Sequence, residues 1–329
     1  MVGLNEMESF TKVKLNDEQL DILVKAVFGS ETAVNLSSEL TGGFFNTAYD
    51  LELSTGKSVI LKVAPAVETD TLSYEKNIMR TEVEALRMVA DKGVVPVPAV
   101  YHYDESLQLI PIPYFFMEKV EGQPYSDVKE SLSLPERDAI ETELGRYNCI
   151  INEIRGERFG IFGTDSEEPR ASWRETFSCL MESVLADAKR LNAQLPASYE
   201  EIMQEVSKYL PALDAVTEPR LVHWDLWNGN VFVKDGVIVS LIDWERALWG
   251  DVLMEYYFRH FENSASFYKG YGTTYDSPNE IQRKKLYDLY LDLILAIECY
   301  SRKYADEGYV RWTHDNLTEG WNRFKGSSE

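Results

Sequence analysis

His223-Trp224-Asp225-Leu226-Trp227-Asn228-Gly229-Asn230, followed by Val231-Phe-Val-Lys234, Asp235-Gly236, Val237-Ile-Val-Ser-Leu-Ile242 and Asp243-Trp244-Glu245, is the stretch that decides the fold. Two apolar, β-rich runs, 230–234 and 237–242, flank Asp235-Gly236. Asp-Gly between such runs is the strongest short-range hairpin signal. Asp225 then lies in the loop before the first strand, Asn230 at its start and Asp243 just past the second. Antiparallel pairing brings positions 230 and 243 to the same end, so three oxygen-bearing side chains gather in one place.

Working back toward the amino terminus, residues 16–27 carry Leu20, Ile22, Leu23 and Val27 behind Asn16 and Asp17, which predicts a short capped amphipathic helix. Three β-rich runs follow at 32–40, 46–53 and 57–63, with turns at Thr41-Gly42-Gly43 and Ser54-Thr55-Gly56, and they read as an antiparallel meander. Residues 71–90 place Ile78, Glu82, Leu86 and Val89 along one side, predicting a single long helix that Val95-Pro96-Val97-Pro98 breaks. Two more strands are expected at 100–103 and 114–117. The small lobe is expected to cover 1–119. From Leu134 onward helices are expected at 135–154, 173–191, 198–210, 252–267, 278–304 and 309–324, making 120–329 a second, mainly α lobe. The fold class is therefore α+β.

Composition narrows the function. The chain has 329 residues, 44% hydrophobic and 12% aromatic, enough for two well-packed lobes and a cleft. A net charge of −22 repels phosphate backbones, so no nucleic-acid partner is expected, and it hints weakly at a cationic substrate. Residues 1–10 carry two glutamates and no apolar run, and no stretch reaches the length of a membrane span. A cytoplasmic protein without a membrane partner is expected. Cys149, Cys179 and Cys299 are far apart and read as reduced thiols rather than a disulfide framework or metal site.

Hard oxygen donors at 225, 230 and 243, without thiols or clustered histidines, suit magnesium, which takes one or two carboxylates and completes its shell with phosphates. Kinases place a loop aspartate that accepts the hydroxyl proton four intervening residues before an asparagine ligand. Asp225 and Asn230 have that spacing. Asp and Asn also form turns for their own sake, which is the plainer reading of either alone. Lys62 interrupts a buried-looking strand and needs a partner. Glu82 on the inward helix face is the first candidate, with Glu84 and Glu75 as alternatives; such a pair positions the α and β phosphates in kinases.

The pattern HxDxxxxN without an Arg after the His, followed by Ile242-Asp243-Trp244-Glu245, resembles the aminoglycoside phosphotransferase and choline kinase superfamily, with its protein-kinase-like two-lobe fold. The loop Asp225-Leu-Trp-Asn-Gly-Asn230 is also similar to that of fructosamine kinases. The resemblance implies Asp225 as catalytic base, Asn230 and Asp243 as magnesium ligands, and His223 as a structural loop residue. It implies a phosphate loop at Gly42, Gly43 and Asn46, and a hinge at Phe115 to Val120 where the backbone of Met117 and Lys119 reads the purine of ATP or GTP. Asp251 is implied to be structural, bonding to the catalytic loop.

Only a few residues separate Asp243 from Gly250-Asp251, and no Ala-Pro-Glu follows, which leaves no peptide-docking segment. The acceptor is therefore expected to be a small-molecule hydroxyl. Glu255, Tyr256, Tyr257, Asp288, Asp292 and Glu298 in the helical lobe are candidate cleft residues, although a solvated face is the plainer reading. Facing the cleft, they would favour an aminoglycoside-like or other cationic alcohol. A metabolic kinase of choline, fructosamine or a sugar-like substrate is the alternative. A nucleotide-binding pseudokinase scaffold is the alternative of another class, and it would ordinarily have lost Lys62, Asp225 or Asp243.

Overall fold

Asn16 begins the first helix by accepting from the Gln19 N–H at 2.9 Å while its own N–H donates to Gln19 Oε1 at 3.0 Å, a capping box. The computed structural model describes residues 12–40, 45–66, 69–162, 172–262 and 264–326. Helix α1 (Asp17–Phe28) is followed by strands β1 (Val34–Leu40), β2 (Thr47–Leu53) and β3 (Ser58–Val63). Helix α2 (Ile78–Lys92) and strands β4 (Val100–Asp104) and β5 (Tyr114–Glu118) complete the upper lobe. The five strands form one antiparallel sheet in the order β1-β2-β3-β5-β4.

Alternation along β3 sorts its side chains. Val59, Leu61 and Val63 join Leu20, Leu23 and Val24 of α1 in one buried cluster. Ile60 belongs to the other face, with Met79, Val83, Leu86 and Val89 of α2. Lys62 has the parity of Ile60, so its ammonium is delivered to the α2 side.

The single helix expected over 71–90 is interrupted. A 3₁₀ turn at Ser73–Glu75 comes first, then Asn77 at φ 62°, then α2. The cause is tertiary. Ser73 N–H donates to Asp187 Oδ2 at 2.6 Å, Glu75 pairs with Arg302 at 2.5 Å, and Ser301 Oγ donates to Asp70 O at 2.8 Å. These bonds draw residues 70–75 onto the lower lobe and off the axis of α2, with Asn77 tolerating the left-handed bend.

The lower lobe contains β6 (Gln123–Pro124), α3 (Tyr125–Val128), α4 (Leu134–Glu153), β7 (Gly160–Ile161), α5 (Trp173–Arg190) and α6 (Tyr199–Ser207). Then come β8 (Arg220–Val222), the hairpin β9 (Val231–Lys234) and β10 (Val237–Leu241), β11 (Leu248–Gly250), α7 (Ala265–Tyr271), α8 (Pro278–Arg302) and α9 (Glu307–Lys325). Helices α4 and α7 touch backbone to backbone, because a Cβ on Gly270 would lie 1.8 Å from Thr142 O and one on Gly145 2.1 Å from Phe267 O.

The helix expected over 252–267 is replaced by two 3₁₀ turns, Val252–Met254 and Tyr256–Phe258, ahead of the short α7. Asp251 Oδ1 caps the first turn at Leu253 N, and Glu255 is extended at ψ 148°. The aromatic run turns inward instead of winding on, with Tyr257 stacked on Phe267 at 4.3 Å. All three cysteines are free. Among the described residues no helix is long and apolar enough to cross a membrane.

Candidate active site

The hairpin forms as its turn demands, with Asp235 at φ 52° and Gly236 at φ 77°. Leu241 pairs with Val231, and the Ile242 N–H donates to Asn230 O at 3.0 Å, which holds Asn230 and Asp243 at one end. Asn230 Nδ2 donates to Asp225 O at 2.8 Å and to Asp225 Oδ2 at 3.2 Å. Its amide nitrogen is thus committed to the loop, and Oδ1 is the atom left to offer a cation.

Asp243 sits in the left-handed region at φ 65°, which turns its carboxylate to the upper lobe. Lys62 Nζ reaches Asp243 Oδ1 at 3.0 Å and Glu82 Oε1 at 2.6 Å, so Glu82, rather than Glu84 or Glu75, is its helix partner. Glu84 pairs with Arg80 and Glu75 with Arg302. Burial alone would lower the Lys62 pKa, but the carboxylates of Asp243, Glu82 and Glu245 more than offset it and keep the ammonium charged. Burial also opposes ionisation of Asp243, yet Lys62 holds its pKa below the usual carboxylate value.

Asp225 is partly open to the cleft. Burial first, then the charges of Asp243 and Glu298, push its carboxyl up to about 6, while Arg246 and the Asn230 bond pull it down. A carboxylate so tuned is a better proton acceptor than an exposed one. His223 is fully buried behind it, Nε2 lying 3.0 Å from Ile242 O, and desolvation lowers its pKa to about 4. It is a neutral structural group.

Glu245 closes the motif Ile242-Asp243-Trp244-Glu245. Two residues past Asp243 on a 3₁₀ turn, its Oε2 accepts from Asn46 Nδ2 of the upper lobe at 3.2 Å. Glu82, Asp243 and Glu245 each offer a carboxylate oxygen within 4.8 Å of the others. Glu82 Oε2 and Asn46 Oδ1 are buried without a hydrogen-bond partner. Orphaned hard oxygens beside an excess of acid fit a magnesium ion better than they fit a closed structural cluster. The signal available in the sequence was the acid repeat Asp243-Trp-Glu245.

The remaining expected site residues are placed as follows. Asn46 is buried at the lobe junction, whereas Gly42 and Gly43 lie outside the described residues. Met117 is buried in β5, pairing with Ile60. Lys119 follows β5, its ammonium bound to Asp50 at 2.6 Å on the surface. Tyr256 is half-buried, within the field of Asp225 and 5.2 Å from the exposed ring of Phe261.

The four acids expected in the cleft are engaged with protein partners. Asp292 is fully buried against Arg259 at 3.2 Å and Asn316 at 2.8 Å. Asp288 lies 3.5 Å from Arg259 and 3.4 Å from His260. Glu298 is buried with Arg246 at 2.8 Å, and Glu255 receives the Trp224 N–H at 2.5 Å. Tyr257 donates to Asn228 Oδ1 at 2.5 Å beneath the loop. Asp251 binds Arg283 and Tyr287 of α8, not the catalytic loop as the resemblance implied.

A strand lysine bridging a helix glutamate and a post-hairpin aspartate, above a loop aspartate bonded to an asparagine five positions on, defines a kinase-like phosphotransferase of two lobes. The model of the phosphotransferase enzyme family matches residues 38–287, and the chain belongs to that family. It is a phosphotransferase enzyme acting on hydroxyl groups.

Solved structures share the fold at low identity. One is a "putative fructosamine-3-kinase" from Haemophilus somnus, 18% identical with a TM-score of 0.66 over 92% of this chain and 97% of that one. Another is APH(2")-IIa in a ternary complex with streptomycin and ATP, 15% identical with a TM-score of 0.61 over 93% and 97%. A thermostable mutant of aminoglycoside phosphotransferase APH(4)-Ia, in a complex with AMP-PNP and hygromycin B, is 18% identical with a TM-score of 0.62 over 94% and 99%. A curated relative is a "probable acyl-CoA dehydrogenase" of Arabidopsis thaliana, 22% identical over 227 residues, or 66% of this chain. The chain spans only 27% of that protein's length, so the whole protein's activity is not carried over.

Proposed function

We propose that the enzyme moves the γ-phosphoryl group of ATP or GTP to a hydroxyl of a small cationic alcohol, aminoglycoside-like in chemistry. The observation that carries this reading is the convergence of Lys62 and Glu82 of the upper lobe on Asp243 and Glu245, which leave the hairpin at the end where Asn230 bonds Asp225. Asp225 accepts the proton of the attacking hydroxyl as its oxygen bonds to phosphorus and the bridging bond to the nucleoside diphosphate breaks. Lys62, held by Glu82, neutralises the α and β phosphates. Asn230 Oδ1, Asp243 and Glu245 would hold magnesium, which when bound screens the charge of the phosphates. The backbone around Met117 and Lys119 receives the purine, and residues 1–119 act as the nucleotide lobe.

The acceptor's charge is read from the surroundings of Tyr256, whose hydroxyl lies within the field of Asp225. Tyr256, also within the field of Glu262, supplies the aromatic ring and Glu262 a carboxyl, while the neighbouring Phe261 ring already carries the Arg259 guanidinium at 5.1 Å. Such a corner suits an ammonium through cation–π and Coulomb attraction. The short connection from Asp243 to Asp251 agrees with a small acceptor. The test is a panel of amino alcohols, aminoglycosides, macrolides and fructosamines with ATP and with GTP. Phosphorylation of amine-bearing acceptors, weakened by Glu262→Gln, is expected. Turnover of a neutral sugar alone would overturn the cationic assignment.

A further inference from the structure

Phe45 is 5% exposed, yet among the described residues it belongs to neither hydrophobic cluster. It stands at the end of the turn between β1 and β2, two residues before Thr47 opens β2. Its ring lies against a cation, with the Arg302 guanidinium carbon 5.1 Å from the ring centroid. Arg302 is the last residue of α8, in the lower lobe. We infer that Arg302 is a positioning residue for the nucleotide: its guanidinium face holds the Phe45 ring and so fixes, from the lower lobe, the end of the turn that receives phosphate. The inference rests on the reading of residues 1–119 as the nucleotide lobe.

Arg302 is built to stay in place. It is 2% exposed, and its Nε and Nη2 both donate to Glu75 Oε1, at 2.9 and 2.5 Å. Nη1 donates to the Tyr304 hydroxyl at 3.0 Å and Nη2 to the Tyr74 hydroxyl at 3.2 Å. A guanidinium hydrogen-bonds in its plane and stacks through its face, so these bonds at the edge leave the face for a ring. The C-terminus of α8 favours a cation there, and Lys303 at φ 49° ends the helix and turns the chain back through Tyr304.

The next residue of the turn is held as well. Asn46 Nδ2 donates to Glu245 Oε2 at 3.2 Å, and Glu245 lies within the field of Arg302. Two successive residues thus bear on the lower lobe, Phe45 on α8 and Asn46 on the segment after the hairpin. Backbone N–H groups cradle phosphate only while the turn keeps its shape, and ordering a free turn costs entropy on binding. Pinning its end before the nucleotide arrives removes part of that cost. The consequence falls on nucleotide affinity rather than on the chemical step, because Asp225 and Asn230 are held separately by the hairpin.

Substitution at position 45 tests this without disturbing the ion pairs of Arg302. Titration of the full chain with AMP-PNP in magnesium needs no acceptor. Phe45→Leu should raise the Kd about tenfold, and Phe45→Tyr, which keeps the ring, should stay within about twofold of wild type. Pentafluorophenylalanine in place of Phe45 keeps the shape but reverses the charge distribution of the ring, and should weaken binding as Phe45→Leu does. With an acceptor from the panel, KM for ATP should follow the Kd while kcat stays within about twofold. Wild-type affinity in Phe45→Leu or in the fluorinated protein, or a fall in kcat with KM unchanged, overturns the inference. A wild-type chain that does not bind AMP-PNP refutes the nucleotide reading itself, whereas binding indifferent to position 45 removes only the positioning role of Arg302.

Discussion

Two buried charge clusters meet where the lobes join, and their balances differ. Lys62 alone faces Glu82, Asp243 and Glu245, one cation against three acids. Nearby, Arg246 and Arg302 face Glu298 and Glu75, two against two, with Tyr74 donating to Glu298. In the second cluster the arginines overcome the burial of Glu298 and hold its pKa below the carboxylate norm. In the first, burial and Asp243 drive the Glu245 pKa upward. A balanced set ties α8 to Ser73–Glu75 and to the segment after the hairpin. An acid-rich set carries an uncompensated charge, which the proposed magnesium ion would offset.

The largest effect that would break this contrast is on the rate. Asp225→Asn should lower kcat by about 10²–10⁴-fold while nucleotide affinity stays near wild type, measured by initial rates and nucleotide titration. In the balanced cluster, Glu298→Ala leaves Arg246 and Arg302 under-compensated and should cost about 3–5 kcal/mol of stability in urea unfolding. Acid adds a cation behind the acid-rich cluster through His223. Its folded pKa of about 4 lies below its ordinary 6.5, so the unfolded chain binds the proton first. Its contribution is therefore full above pH 6.5 and is lost as pH falls toward 4, by about 3 kcal/mol. Urea unfolding in chelator should show that slope, and His223→Asn should flatten it. The smallest effect is expected for Glu245→Gln, which relieves repulsion and should leave the Tm of the metal-free protein unchanged or a few degrees higher.

The sequence made one of these clusters readable and concealed the other. Asp225, Asn230, Asp243 and Lys62 were legible because spacing and a turn signal fix them locally: Asp235-Gly236 can only close a hairpin, and a lysine in an apolar strand must find an acid. Glu75, Glu298 and Arg302 carry no such signal. On α8, Glu298 looks like any polar face, and only the packing of Ser73–Glu75 against it makes it a buried pair. The same tertiary pull broke the helix expected over 71–90. Glu255 was misread for a related reason, since its partner is a backbone N–H, which leaves no trace in residue type. The upper sheet was legible because its runs alternate and end at glycine turns, whereas the aromatic run at 256–258 satisfied a helical period and was captured by stacking instead.

The central claim is that the acid-rich cluster exists to receive a divalent cation with a nucleotide. Thermal unfolding with AMP-PNP, with and without magnesium, tests it most directly in the wild type, Asp243→Asn, Glu245→Gln and Glu298→Gln. Magnesium should raise the wild-type Tm by several degrees, the two substitutions in the acid-rich cluster should abolish or sharply reduce that shift, and Glu298→Gln should keep it from a lower starting Tm. An equal magnesium shift in all four proteins would contradict the account.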